Sequence, residues 1–215
     1  MNTKLSKCIV IMALGAVFCL PGMAMASTTY TFEDTTLNQD ANSWGFVPSN
    51  YQGYTWTHFE AVSQNVGTYD YQSYGNTNTF PSGVQAVYNG GVGGYKTVTV
   101  DFGGLTDVQS AYFSGWVTNN SLPGWAASKV TLYGFNGVNP VGSQAVTLTA
   151  LFVPTTINLG GYVTKVDFTI PEANLSNHYW LMDDLKVNAV PVPPSAILLG
   201  SGLLGLVGLR RFRKS

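Results

Sequence analysis

Along this chain the spacing of hydrophobic and polar residues changes twice, and the three regimes predict three kinds of element. Residues 8–20 form an unbroken apolar run behind Lys4 and Lys7. From there to about residue 188 the pattern is alternation. Lys96-Thr97-Val98-Thr99-Val100-Asp101-Phe102, Lys129-Val130-Thr131-Leu132-Tyr133, residues 145–150 and residues 163–170 each alternate polar and apolar residues over most of their length. Side chains alternate across a strand, so each stretch predicts a half-buried strand. Residues 30–34 and 180–187 predict a first and a last strand strong enough to pair as neighbours. Asn89-Gly90-Gly91, Gly103-Gly104, Asn136-Gly137 and Gly160-Gly161 punctuate the strands as turns. No window has a useful length of helical period, and no fixed-period repeat points to a propeller or solenoid. The expected fold class is therefore all-β, an antiparallel β-sandwich of jelly-roll-like topology. Residues 196–209 form a second uncharged apolar block, closed by Arg210, Arg211, Arg213 and Lys214, and predict a single C-terminal apolar helix.

The two ends predict export. Lysines, an apolar run and the small residues of Ala24-Met25-Ala26 follow one another as in a secretory signal peptide, so signal peptidase is expected to act after Ala26. The residue before Cys19 is the bulky Phe18, which argues against a lipoprotein signal. Both cysteines, Cys8 and Cys19, lie in the segment to be removed, which leaves the mature domain without disulfides or cysteine metal sites. At the other end, a helix needs about twenty residues to cross about 30 Å of hydrocarbon. Residues 190–209 supply twenty uncharged positions, and the basic side chains beyond them can snorkel to the headgroups. The Lys/Arg excess after the segment places the C-terminus in the cytoplasm before processing and the preceding domain on the far side.

Val190-Pro191-Val192-Pro193-Pro194, the glycine-spotted apolar stretch and the basic end with Arg210, Arg211 and Arg213 together resemble the PEP-CTERM sorting signal, also catalogued as the ice-binding-protein C-terminal domain. The chain departs from that pattern at Val192, where the family carries Glu. The resemblance implies an exported protein of a Gram-negative bacterium that makes exopolysaccharide, sorted by an exosortase-like membrane enzyme acting near the proline motif. It implies a cell-surface or extracellular location and at least a transient membrane anchor. The organisation expected is thus a signal peptide at 1–26, a β-sandwich cargo domain at 27–188 and a sorting tail at 190–215.

Charge then narrows the cargo's partners. Between residues 27 and 188 four lysines stand against eleven acids, a net charge of −7 with no arginine. Nucleic acid, whose phosphates need Lys and Arg, is excluded as a partner. Two constellations remain. Glu33 and Asp34 in the expected first strand, and Asp183 and Asp184 in the last, bring carboxylates together; by alternation Asp183 shares a face with Leu181, Leu185 and Val187. Buried carboxylates need compensation, which structural calcium would supply through oxygen ligands. The arrangement resembles the calcium site of jelly-roll carbohydrate-binding modules; the alternative is that these acids cap strand ends and bond loop amides. The second constellation is aromatic. Residues 44–74 interleave aromatic rings with Asn, Gln, Ser and Gly, and Trp44, Tyr51, Tyr54 and Trp56 are the candidate face for stacking on sugars. The alternative puts Trp56 and Phe59 inside, with the tyrosines stiffening loops. Trp116 and Trp125 are a further candidate platform.

No catalytic pattern emerges. His58 and His178 form no zinc-spaced pair and adjoin no serine-nucleophile motif. A glycosidase would need only two of the eleven carboxylates, and their sequence spacing leaves that open. The expectation is a non-catalytic protein that binds carbohydrate, the exopolysaccharide first of all; the alternative is a structural or adhesive matrix protein without glycan binding.

Overall fold

The structure, a computed structural model, describes residues 27–33, 44–64, 79–90, 94–116, 126–171 and 178–190. Ser27–Val190 form one compact unit. The expected signal segment with Ala24 and Ala26, and the expected sorting tail with Pro191, Val192, Pro193, Pro194, Arg210, Arg211 and Arg213, lie outside the described residues, as does the expected apolar helix. Among the described residues no helix is long and apolar enough to cross a membrane.

The domain is all-β. Its strands are β1 (Ser27–Tyr30), β2 (Trp44–Phe46), β3 (Thr55–Thr57), β4 (Phe59–Ser63), β5 (Gln85–Asn89), β6 (Thr97–Gly115), β7 (Lys129–Asn136), β8 (Asn139–Thr147), β9 (Val153–Thr156), β10 (Val163–Thr169) and β11 (Trp180–Ala189). Every pairing between them is antiparallel. The 19-residue β6 belongs to two layers. Its first half, around Val98 and Val100, is flanked by β3 and β10, and β7 and β8 continue outward to complete a front sheet. Its second half is flanked by β9 and β11 in a back sheet. The free edge of β11 takes β5 at Leu181 and Met182 and β1 at Leu185, and β4 and β2 follow β5.

Alternation explains how the layers close. Trp56, Val98, Val100, Val130, Leu132, Val166 and Phe168 face inward from the front sheet; Phe59, Val87, Phe113, Trp180, Met182, Leu185 and Val187 face inward from the back sheet, and all share one buried cluster. Phe168 bridges the layers, stacked on Trp180 at 5.7 Å and set against Phe59 at 5.8 Å and Phe113 at 6.4 Å. A second cluster of Val62, Phe80, Ala86, Tyr88, Trp116 and Leu181 covers the other side of the back sheet.

Three local features differ from the alternation-based expectations. Gly103-Gly104 does not end a strand: β6 runs through it, with Gly103 at φ +66°, a conformation open to a residue without a Cβ. The expected first strand at 30–34 is instead Ser27–Tyr30, stopped where Phe32 takes φ +62°; β1 nonetheless pairs with the last strand, Tyr30 opposite Leu185. The strand expected at 145–150 runs from Asn139 to Thr147, one arm of a hairpin turned at Gly137, φ +60°.

Candidate functional site

The aromatic segment is mostly structural. Trp56 is 3% exposed, wedged edge-on against Phe32 at 5.5 Å, Tyr51 at 5.8 Å and Phe59 at 5.2 Å, and its indole Nε1 donates to the Tyr51 carbonyl at 3.0 Å. Tyr51 is buried and stacked on Phe32. Tyr54 is half-buried, 5.0 Å from Phe102 and 5.5 Å from Tyr30, whose phenol is held above its ordinary range by burial and by a hydrogen bond with Tyr54. Tyr51 and Trp56 therefore cannot form the expected sugar-stacking face. The reason is the strand β3: in Thr55-Trp56-Thr57 the threonines point to solvent and the ring between them points to the core. Trp44 opens β2 opposite Val62, with its side chain outside the described atoms. Trp116 is also buried, in the second cluster, and Trp125 lies outside the described residues.

The acidic residues take up the loop between β4 and β5. β11 carries a bulge between Asp183 and Lys186, with Asp184 at φ +50°. The extra residue resets the alternation, so Trp180 and Met182 before it and Leu185 and Val187 after it all face the core. Asp183 is thereby turned away from Leu185 and Val187, contrary to simple alternation. It is fully buried and accepts bonds from the Ser82 N–H at 3.0 Å, the Ser82 hydroxyl at 3.1 Å and the Asp184 N–H at 2.7 Å. Desolvation pushes its carboxyl up to about 7, against these hydrogen bonds, which favour the ionised form. Glu33 accepts from the N–H groups of Val84 at 2.9 Å and Gln85 at 2.6 Å. Both acids thus bond loop amides. Asp34 lies outside the described residues, among which no group of three or more potential metal-binding His, Cys, Asp or Glu stands together.

A surface site appears on the outer face of the front sheet. Cross-strand partners share a face, so register reads off rows of outward side chains. One row runs Ser143–Tyr133–Asp167–Thr99–Thr57 across β8, β7, β10, β6 and β3. Beside it run Pro140–Phe135–Lys165–Asp101–Thr55 and Ala145–Thr131–Thr169–Thr97. Tyr133 is 41% exposed. Next to it, Asp167 accepts from the Thr99 hydroxyl at 2.8 Å and from Lys165 Nζ at 3.3 Å, and Lys165 Nζ lies 4.4 Å from the centroid of the Phe135 ring. A half-buried ion pair of this kind, still reached by solvent, adds little stability. Its consequence is geometric, since both carboxylate oxygens are oriented while lone pairs remain for hydroxyl donors. The hydroxyls of Thr97 and Thr169 are likewise joined, at 3.0 Å.

This face offers one accessible ring amid fixed acceptors and hydroxyls, the combination that binds polyols through C–H contact and O–H bonds. Sequence reasoning passed over it although the signal was present. In Lys129-Val130-Thr131-Leu132-Tyr133 the inward phase belongs to Val130 and Leu132, which assigns Tyr133 to solvent.

No protein-family model and no curated protein matches the chain. Solved structures similar to it include a variant of a family 29 carbohydrate-binding module complexed with mannohexaose, at 13% identity over 77% of this chain and 92% of that chain, TM-score 0.40. Another is the CBM22-1 and GH10 modules of Clostridium thermocellum xylanase 10B complexed with xylohexaose, at 10% identity, covering 76% of this chain and 28% of that chain, TM-score 0.33. A third is the family 32 module of Clostridium perfringens NanJ in complex with galactose, at 16% identity, covering 60% and 93%, TM-score 0.31. At such identities and TM-scores the likeness says nothing of what this chain binds.

Proposed function

We propose that this is a non-catalytic, exported carbohydrate-binding protein of jelly-roll type, and that glycan lies on the outer face of the front sheet. The observation that carries the reading is Tyr133, exposed in mid-sheet and flanked in one row by Ser143 and the pre-oriented Asp167. A ring fixed on a strand loses little freedom on binding, and an acceptor already held in place needs no reordering. Export by signal peptidase, sorting by an exosortase-like enzyme through the tail and delivery to the cell surface or matrix belong to the same proposal and rest on the sequence of the two ends. An extracellular polysaccharide is the glycan such a route would meet.

The test is a glycan array probed with the full chain and with its Tyr133→Ala variant. Retention of at least one polysaccharide, weakened about tenfold or more in the variant, is expected, in line with the loss of one stacked ring. Retention that ignores the substitution refutes the face, and retention of nothing leaves the structural or adhesive reading.

Structural calcium at Glu33, Asp34, Asp183 and Asp184 is a separate proposal, supported by the burial of Asp183, whose hydrogen-bond donors among the described residues are Ser82 and Asp184. If the ion is present, adding EDTA lowers the melting temperature by several degrees, since a ligand of the folded state stabilises it by mass action. An unchanged melting temperature leaves the loop amides as the acids' sole partners and retires the ion.

A further inference from the structure

The polar rows of the front sheet end at β3, and a second pair of rings stands there. The residue after Thr57 is His58, which holds φ +65°. Its ring lies flat on that of Tyr95, with centroids 3.9 Å apart and planes 7° from parallel. Both side chains are exposed, Tyr95 by 41%, and neither belongs to a buried cluster. Tyr95 precedes Thr97 by two positions, so the pair sits where the rows reach Thr57 and Thr97, on the far side from Tyr133.

A histidine at positive φ carries a backbone cost, and such outliers persist only where the surroundings impose them. Here they do: the His58 carbonyl accepts from the Gly90 N–H at 3.1 Å, and the Tyr95 N–H donates to the carbonyls of Asn89 at 3.2 Å and Gly90 at 3.0 Å. The backbone thus presents a two-ring stack at the sheet edge without using it in the core. Stacking covers one face of each ring and leaves the others available.

From Tyr133 the row crosses Asp167 and Thr99 to Thr57, three strand spacings of about 4.8 Å, which sets Thr57, the residue next to His58, roughly 15 Å from Tyr133. Between them lie the oriented Asp167 carboxylate and the Thr99 hydroxyl. We infer that Tyr133 and the His58–Tyr95 stack are two ends of one subsite line, and that the protein binds an internal stretch of extended polysaccharide laid across the strands rather than a single sugar or a chain end. This rests on the glycan reading above and adds length selection to it. A short sugar reaches one platform only. A chain that reaches both makes its second contact within the complex, at an effective concentration fixed by the rigid sheet.

The experiment is calorimetric titration of the full chain with cello-, manno- and xylo-oligosaccharide ladders from disaccharide to hexasaccharide, beside the polysaccharides retained on the array. Affinity is expected to climb by at least about tenfold along the ladder that binds. His58→Asn, chosen because Asn tolerates positive φ while lacking the ring, and Tyr95→Ala are each expected to flatten that climb, lowering the hexasaccharide affinity by far more than the disaccharide affinity. A flat ladder in the unmodified chain, or a steep one that survives both substitutions, overturns the inference. If Tyr133→Ala still weakens binding in that case, the glycan reading itself stands. If no ladder and no polysaccharide binds, the glycan reading falls; if binding persists and Tyr133→Ala changes nothing, the front-sheet face falls; the subsite line falls with either.

Discussion

Trp56→Ala is expected to cost about 3–5 kcal/mol of folding stability, the range for removing a large aromatic ring from a packed core. In a domain of this size that corresponds to a fall of roughly 10 °C or more in melting temperature. Thermal melting or urea denaturation of the variant reads it directly. The same substitution at a solvent-facing sugar platform would leave stability almost untouched and lower glycan affinity instead, so the outcome separates the two roles. The structure predicts the loss of stability: Trp56 is 3% exposed, touches Phe32, Tyr51 and Phe59, and satisfies its indole N–H on the Tyr51 carbonyl. A variant as stable as the original would contradict the packing described for β3.

The second large effect concerns Asp183 and pH. Its folded-state pKa of about 7 stands above the ordinary 3.8 because burial penalises the charge. Between those values the folded protein holds a proton that the unfolded chain has released. Stability contributed by this group is therefore full below about pH 4 and is lost as pH rises toward 7. At about 1.4 kcal/mol per pKa unit, the total over the window is on the order of 4 kcal/mol. In Asp183→Asn the group no longer titrates, so its stability should change less with pH, and the difference between the two proteins should grow as pH rises from 4 to 7. Denaturation midpoints measured in EDTA across that range check this, the chelator keeping any bound cation out of the comparison. A pH slope unchanged by the substitution, or of opposite sign, would contradict the burial of Asp183 behind Ser82.

The strands that can be read in the sequence are those whose alternation extends over most of their length. Residues 163–170 predict a strand and Val163–Thr169 form one; residues 129–133 predict another, and it continues to Asn136. What failed to be legible has particular causes. β3 is three residues long, too short for its period to stand out, so the sequence leaves Trp56 open between a sugar face and the core, and the structure puts it in the core between two exposed threonines. In β11 the bulge at Asp184 reverses the phase, and Asp183 leaves the face it shares with Leu185 in an ideal strand. The continuity of β6 through Gly103-Gly104 depends on pairing with four different strands, which no local pattern reports.

The candidate site divides in the same way. That Tyr133 faces outward follows from the phase of Val130 and Leu132. That Ser143, Asp167, Thr99 and Thr57 stand in line with it follows only from register, a long-range property of β3, β6, β7, β8 and β10. The stack of His58 on Tyr95 is less legible still, because two residues 37 positions apart in sequence meet through hydrogen bonds to Asn89 and Gly90.

The central claim is a location: glycan lies on the outer face of the front sheet. Amide hydrogen exchange of the full chain, with and without a saturating polysaccharide retained on the array, tests it most directly. The account predicts slowed exchange in residues 131–135, 165–169 and 97–101, strongest around Tyr133 and Asp167, with the 51–54 turn unchanged. Protection confined to 44–54 or to the back sheet, with none in β7 and β10, would contradict it.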